Sequence, residues 1–365
     1  MYDEKPRVLV VSSMYPSVRY PKYGSFVADA VLAMEAEGMR VRLAVGREAR
    51  TGTLRNFSKY AILAARGVVA GIRGGFDVVH AHYLYPSGAI GAIAAMIARR
   101  PLMLYSHGSD VLLVSRRWPT GALVRRTVAR ASVICVPSEH HARIVRNVFG
   151  EDVCIEVLPV GVDLQTFTPG DRASARAALR DALGIDHGAR LVLFAGALDD
   201  NKGVGCLDLV RAIAQLPSPG AVLLVVGDGD RRSEVQSLVA KLGIADVVFF
   251  RPYASRKVLV ELYRGADVVA VPSRRESLGL VALEAQAVGT PVVAARVGGL
   301  PEHVRPGKTG EIYESGDEDG LAAALGTVLQ NPLRYSSEID AERYGLAATG
   351  RRLRLLSERL AKAGR

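Results

Sequence analysis

The segment Pro272-Ser-Arg-Arg-Glu-Ser-Leu-Gly-Leu-Val-Ala-Leu-Glu284 joins an apolar run ending at Val271 to a helix-like stretch, Leu280–Val288. Gly279 stands where that helix should begin, and Gly289 followed by Pro291 should end it. Glu276 then lies in the loop before the helix, and Glu284 about one turn in. The first amides of a helix have no intrahelical partner, so they form a ready anion site. Carboxylates beside them can accept hydrogen bonds from hydroxyls. Amides for phosphate and carboxylates for sugar hydroxyls describe a pocket for a nucleotide sugar. The plainer reading of the same spacing is that Glu276 caps the helix and Glu284 faces solvent.

Outward from this segment, the sequence repeats one grammar of short apolar strand followed by amphipathic helix. In the first half, strands are expected at Arg7–Ser12, Arg40–Ala44, Asp77–His82, Leu102–Ser106 and Val133–Pro137, with helices such as Phe26–Glu37, Pro86–Arg99 and Glu139–Phe149. In the second half they are expected at Leu191–Ala195, Ala221–Val226, Val247–Phe250, Asp267–Val271 and Pro291–Ala295. Helices there are expected at Val204–Gln215, Arg231–Leu242, Lys257–Arg264 and Leu280–Val288. Unbroken Val/Ile/Leu runs, rather than alternation, imply parallel strands covered on both faces. The expected fold class is α/β, with two facing doubly wound Rossmann-like domains and an interdomain cleft where strand carboxyl ends meet. The boundaries read as 1–165, 166–340 and a basic C-terminal helix over 341–365 that returns to the first domain. Pro159-Val-Gly-Val-Asp163 and Phe167-Thr-Pro-Gly170 form the hinge.

Composition prunes the alternatives. The 365 residues are 49% hydrophobic and 23% charged, which excludes disorder, and Gly and Pro follow no fixed period. No apolar run reaches the roughly 20 residues of a membrane span. The mixed-charge Met1–Pro6 is unlike a signal peptide. Cys135, Cys154 and Cys206 are too few and too scattered for a disulfide framework or a zinc ribbon, and are expected to pack as small apolar residues in a reducing cytosol. The net charge of +10 is uneven: residues 1–165 carry 21 Lys+Arg against 13 Asp+Glu. An anionic partner or an Arg-rich solvated surface both fit.

Lys202, in Gly196-Ala-Leu-Asp-Asp-Asn-Lys-Gly203, is expected on a loop just before a helix, suited to a phosphate. In Gly227-Asp-Gly-Asp230, Gly227 and Gly229 let backbone approach a ligand. Asp228 and Asp230 fit a tight turn better than a metal site. His80 and His82 offer two ligands without a third, so no metal site is assigned. His140-His141 is expected at the surface. His82, and His107 and Asp110 in Tyr105-Ser-His-Gly-Ser-Asp110, follow strand ends and should face the cleft. The chain has no G-x-G-x-x-G after its first strand, no P-loop and no G-x-S-x-G elbow, which argues against a dehydrogenase, a P-loop NTPase and an α/β-hydrolase.

Together these residues resemble a retaining glycosyltransferase of family four, with the GT-B fold. The likeness rests on E-x7-E (Glu276 to Glu284) with Lys202-Gly203, Gly227-Asp-Gly229, Pro159-Val-Gly-Val-Asp163 and Gly298-Gly-Leu-Pro-Glu302 in family order. The resemblance implies a hexose moved from a nucleotide-diphosphate sugar, with no metal or other cofactor. It implies that Glu276 holds donor-sugar hydroxyls, that Ser277, Leu278, Gly279 and Leu280 offer amides to sugar and diphosphate, and that Glu284 binds the ribose. Lys202 would neutralise the diphosphate. Arg251, Pro252 and Tyr253 would flank the base, His107 would sit over the hexose, and Gly24 would approach the phosphates or acceptor. His82 and Asp110 are acceptor-side candidates. The family usually carries Arg in G-R-L where this chain has Gly196-Ala197-Leu198. One positive charge is therefore absent there, and Arg274 or Arg275 would be its substitute.

The acceptor would be a glycan, a lipid-linked molecule or a small molecule. Met14-Tyr-Pro and Pro21-Lys-Tyr-Gly24-Ser-Phe also resemble enzymes that build cell-surface polysaccharide. The basic stretches Leu54–Arg73 and Arg116–Arg130, the latter with Trp118, suit an anionic membrane surface, so the expected location is cytoplasmic and peripheral on the inner face of the membrane. No nucleic-acid motif accompanies the charge. The alternatives are a sugar-nucleotide epimerase on the GT-B fold and a non-catalytic nucleotide-sugar-binding protein.

Overall fold

The computed structural model describes residues 5–20, 23–46, 53–108, 110–111, 120–217, 221–335 and 339–364, with side chains described from 58 onward in the 53–73 helix. Pro21-Lys22, Ser109 and Arg116–Pro119 with Trp118 lie outside these residues, as do the side chains of residues 54–57. The chain divides into two compact units, Met1–Gly161 with Glu342–Arg365, and Val162–Ala341.

The first unit begins with β1 (Arg7–Ser12), α1 (Ser25–Ala36), β2 (Arg40–Val45) and α2 (Thr53–Arg73). It continues with β3 (Val78–His82), α3 (Ser87–Ala98), β4 (Leu102–Tyr105), α4 (Thr120–Ala129), β5 (Val133–Val136), α5 (Glu139–Phe149) and β6 (Ile155–Val157). The sheet order is β2-β1-β3-β4-β5-β6, every pair parallel, so its strand order reverses between β1 and β3. β3, β4 and β5 are buried at every position, which is why their sequences are continuous apolar runs. α2 lies close against α3: a Cβ on Gly71 would sit 3.1 Å from the Ala94 carbonyl.

The second unit contains α6 (Arg172–Leu183), β7 (Leu191–Ala195), α7 (Lys202–Gln215), β8 (Val222–Val226), α8 (Arg232–Lys241) and β9 (Val248–Arg251). Then come α9 (Arg256–Gly265), β10 (Val268–Val271), α10 (Leu280–Ala287), β11 (Val292–Ala295), β12 (Gly310–Tyr313) and α11 (Glu318–Gln330). The order β12-β11-β10-β7-β8-β9, all parallel, is that of a dinucleotide-type Rossmann sheet, with its switch point between β7 and β10.

The expected C-terminal helix is interrupted at Gly345, leaving one turn, α12 (Ala341–Tyr344), before α13 (Leu346–Ala363). Leu353, Leu356 and Leu360 of α13 join Val31 and Met34 of α1 in one core cluster of the first unit. Thr349 donates to the Pro159 carbonyl at 3.2 Å and Arg354 pairs with Glu37 at 3.2 Å, which fixes the helix to that unit.

Candidate functional site

In the second unit the chemistry collects at the carboxyl ends of β7 and β10, the switch point where such a sheet opens a crevice. Lys202 is not on a loop but is the first residue of α7. The reason is local: Asp199 Oδ1 accepts from the Asn201 and Lys202 amides at 2.9 and 2.8 Å, starting the helix two residues before the apolar periodicity begins. Lys202 Nζ lies 3.7 Å from Glu276 Oε2, with side chains 30% and 15% exposed, so the pair is shielded yet reachable. Ser273 Oγ donates to the same Glu276 oxygen at 3.3 Å.

The two loops that carry this pair are bolted together. The Asn201 side chain donates to the Arg275 carbonyl at 2.8 Å and accepts from the Arg275 amide at 2.7 Å. A Cβ on Gly298 would fall 1.5 Å from the Glu276 carbonyl, and one on Gly227 would fall 1.8 Å from the Gly196 carbonyl. Only glycine lets backbone pass this closely. Ser277 and Leu278 continue the loop, and the Leu278 carbonyl accepts from His303 Nε2 at 2.7 Å, which fixes that ring's tautomer. Gly279 starts α10 in the left-handed region, φ 91°, and no side chain caps the helix. With glycine at the N-cap, the first amides of α10 donate to no capping side chain.

Glu284 is neither a cap nor a plain surface residue. Its Oε2 accepts from the hydroxyl of the fully buried Tyr263 on α9 at 3.0 Å. Burial and the adjacent Glu284 push the Tyr263 phenol far up, so it remains a donor at any physiological pH. Nothing in the sequence singles out Tyr263, because a Tyr in an amphipathic helix reads as core. Arg251 ends β9, and Pro252 and Tyr253 follow it exposed; Tyr253 donates to the Asp228 carbonyl at 2.8 Å, tying the post-β9 segment to the Gly227–Gly229 turn. Arg274 does not replace the missing charge at Ala197, since its guanidinium is 2.6 Å from Asp208 Oδ2. The Arg275 residue is exposed, its backbone held by Asn201.

In the first unit the expected residues gather at the switch point between β1 and β3. Gly24 caps α1 at φ 73° and lies so close to the Met14 backbone that a Cβ would be 2.6 Å from it. His82, Tyr105 and His107 stack with nearly parallel rings, 5.5 Å between His82 and Tyr105 and 4.7 Å between Tyr105 and His107. His82 Nδ1 and His107 Nε2 are 3.2 Å apart. Burial lowers the His82 pKa to about 4 and the His107 pKa well below its usual value, so both rings are neutral at pH 7.

Asp110 is buried and accepts from the Leu84 amide at 2.9 Å, the Gly108 amide at 3.0 Å and Ser106 Oγ at 2.9 Å. Burial raises its pKa, and these hydrogen bonds oppose that rise. His141, expected at the surface, is instead 2% exposed. Its Nε2 lies 2.8 Å from Ser106 Oγ, and because that hydroxyl donates to Asp110, His141 is the donor. The apolar face of α5 carries His141 inward beside Ala142 and Val145, a turn of the helix that the His140-His141 pair alone does not reveal. Among the described residues no three His, Cys, Asp or Glu side chains converge as a metal site, and no helix is long and apolar enough to cross a membrane.

Two parallel Rossmann-like sheets, the second with a lysine, two carboxylates and an uncapped helix start at its switch point, define the GT-B class of fold. Residues 8–166 match the family described as Glycosyltransferase Family 4, and residues 175–348 match Glycosyl transferases group 1. A D-inositol 3-phosphate glycosyltransferase of Mycolicibacterium gilvum is 42% identical over 267 residues, 70% of this chain and 59% of that protein. One of Xylanimonas cellulosilytica is 37% identical over 292 residues, 76% of this chain and 67% of that protein. The chain thus spans about three fifths of the length of the first of these curated relatives. The structure of Anabaena HepE in complex with UDP and glucose superposes with a TM-score of 0.77 at 21% identity, covering 97% of this chain and 100% of that one. The chain belongs to glycosyltransferase family 4.

Proposed function

We propose that the chain is a retaining glycosyltransferase that moves a hexose from a nucleotide-diphosphate sugar to a hydroxyl of a glycan, lipid-linked or small-molecule acceptor. The observation that carries this reading is the Lys202–Glu276 pair, 3.7 Å apart, held beside the uncapped start of α10 with Glu284 one turn on. Residues 166–340 would bind the donor and residues 1–165 would serve the acceptor. Its relatives' names add a phosphorylated inositol to the acceptors worth assaying.

The reaction breaks the bond between the anomeric carbon and a diphosphate oxygen through an oxocarbenium-like transition state. Negative charge grows on the departing oxygen. Lys202 and the amides from Ser277 to Leu280 would stabilise it, while Glu276 accepts from sugar hydroxyls and Glu284 from the ribose. The acceptor oxygen would attack the face the diphosphate leaves, its proton passing to the departing phosphate oxygen. The neutral His107 and His82 would present polar ring edges without adding charge, and Gly24 would approach the phosphates or acceptor. Arg251, Pro252 and Tyr253 would flank the base.

A peripheral membrane location is part of this reading. Ile93, Met96 and Ile97 of α3 are exposed, as is Leu123 of α4. A pocket of about 210 Å³ beside Met96 is lined by Arg99, Arg100 and Arg130. Apolar side chains with a basic rim suit an anionic lipid surface. Sedimentation with acidic-lipid vesicles at low salt should carry the protein down, and neutral vesicles should not.

The deciding experiment is thermal stabilisation by UDP-, GDP- and ADP-sugars, followed by turnover with the one that binds. Saturation at about 100 times the dissociation constant adds about 2.7 kcal/mol to stability. Ala197 favours a second reading, donor binding without turnover. A stabilising donor that is never consumed with any acceptor class would select it, and a donor isomerised without acceptor would select an epimerase.

A further inference from the structure

The opposite end of the second sheet holds an unassigned pocket of about 440 Å³. It lies at the amino ends of β7 and β10, a strand's length of about 15 Å from the donor loops. Arg172, Arg176 and Arg180 recur every four residues along one face of α6 and line it, with Arg190 just before β7 and His187 at its edge. Among the described residues, three of these guanidinium groups, those of Arg176, Arg180 and Arg190, pair with one carboxylate, the fully buried Asp267.

The four arginines are not equivalent. Arg180 is buried and its donors are occupied: by the Ala189 carbonyl at 2.8 and 3.1 Å, the Gly265 carbonyl at 3.1 Å and Asp267 Oδ2 at 2.6 Å. Arg172 donates to the Ala266 carbonyl at 3.1 Å and to the Gly289 carbonyl, near the C-terminal ends of α9 and α10. Arg176 and Arg190 differ. Arg176 lies 2.6 Å and Arg190 3.7 Å from Asp267 Oδ1, yet that oxygen accepts no aligned hydrogen bond. Their side chains are 23% and 39% exposed. Asp267 itself is anchored from behind by the Leu191 amide at 2.7 Å and by Arg180. The four arginines outnumber the Asp267 carboxylate, and Arg176 and Arg190, both partly exposed, line the pocket beside it.

We propose that this pocket binds a phosphate ester of small-molecule size, with Arg176 and Arg190 donating to the phosphate oxygens. Planar guanidinium forks match phosphate geometry, and charge-assisted bonds of this kind are the strong ones. Ala173, Ala177, Pro332 and Leu333, with Gln330 and Asn331, line the remaining wall and suit the organic part of the ester. The volume falls within the range of small-molecule sites. The site is independent of the donor reading, since it shares no residue with the loops at the strands' carboxyl ends.

The test uses the full chain carrying Lys202→Ala, which weakens diphosphate capture at the donor loops, and inorganic pyrophosphate as the probe. Calorimetric titration is run against sodium chloride of equal ionic strength, with inorganic phosphate as a second arm. The Lys202→Ala protein should bind pyrophosphate, and adding Arg190→Gln should weaken that binding at least tenfold. Adding Arg176→Gln as well should abolish it. Arg190→Gln in the otherwise native chain should leave sugar-nucleotide binding unchanged. Phosphate binding as tightly as pyrophosphate identifies a monophosphate ester as the ligand class, and weaker binding a diphosphate. Absence of pyrophosphate binding in the Lys202→Ala protein overturns the proposal, as does binding that Arg190→Gln leaves intact. Arg190 is half-exposed and 3.7 Å from Asp267, so its replacement keeps the test readable if loss of Arg176 disturbs folding.

Discussion

The two switch points of the chain solve the same packing problem with opposite electrostatics. In the first unit the polar groups are buried and mostly uncharged at pH 7. His80, His82 and His141 have pKa values lowered by burial to about 3, 4 and 4, and Asp110 is wrapped by two amides and a hydroxyl. In the second unit an ion pair and a carboxylate stand at the rim: Lys202 beside Glu276, and Glu284 backed by a phenol. A neutral stacked surface offers shape and hydrogen-bonding edges. A charged rim over helix amides offers compensation for a departing anion. The contrast teaches that one fold, used twice, makes two different surfaces by how deeply it sinks its polar side chains.

The comparison breaks most sharply at Lys202. Lys202→Ala should lower kcat/KM for the donor by two orders of magnitude or more, because its charge acts on a developing anion; each charge-assisted bond is worth about 1.5–3 kcal/mol in binding alone. Its melting temperature should change little, which differential scanning calorimetry checks. Asp110→Ala should do the reverse. It leaves the buried Leu84 amide without its acceptor, at about 1–3 kcal/mol, and the half-buried Gly108 amide without one as well. Unfolding in urea should show the loss directly.

Acidification sharpens the contrast. His80, His82 and His141 have folded pKa values below their usual 6.5, so the unfolded chain binds more protons between about pH 6.5 and 4. Their contribution to stability is complete above pH 6.5 and is lost as pH falls through that window. Hydrogen exchange at pH 4.5 should therefore show β3, β4 and α5 opening before β7 and β10.

Smaller effects probe the second unit alone. Tyr263→Phe removes the donor behind Glu284 and should raise the donor KM about fivefold, the equivalent of about 1 kcal/mol, with kcat held within a factor of two. Ala197→Arg restores a charge near the donor loops and should tighten sugar-nucleotide binding up to about tenfold in a titration. No gain would mean that the loop no longer points position 197 at the phosphates.

Much of this was legible in the residues, for physical reasons. Most of the ten expected strands are continuous apolar runs buried at nearly every position, as β3, β4, β5, β7, β8, β10 and β11 are; the edge strands β2 and β9 are less buried. The two that escaped notice, β6 and β12, are the outermost strands on one side of each sheet, three and four residues long and only partly buried, so their sequences carry little apolar signal. Helices α6 and α11 escaped for a similar reason, being polar on their outer faces. In the site, the placement of Glu276 before α10, of Gly279 at its start and of Glu284 one turn in was readable from spacing. The start of α7 at Lys202 was not, because Asp199 sets it by a side-chain bond that periodicity does not record. Tyr263, Asn201 and His303 act through contacts 21, 74 and 25 residues distant in sequence, and no local pattern marks such partners.

The tight backbone crossings carry a consequence for how this protein can change. A Cβ on Gly205 would fall 1.7 Å from the Pro272 carbonyl, much as at Gly227 and Gly298. A saturation library at these three positions should return glycine alone under selection for activity. The loops at these crossings are therefore fixed in their main-chain course. On the proposed function, any drift toward a different sugar or base would be written in side chains, and a designer seeking a new donor should leave the crossings untouched.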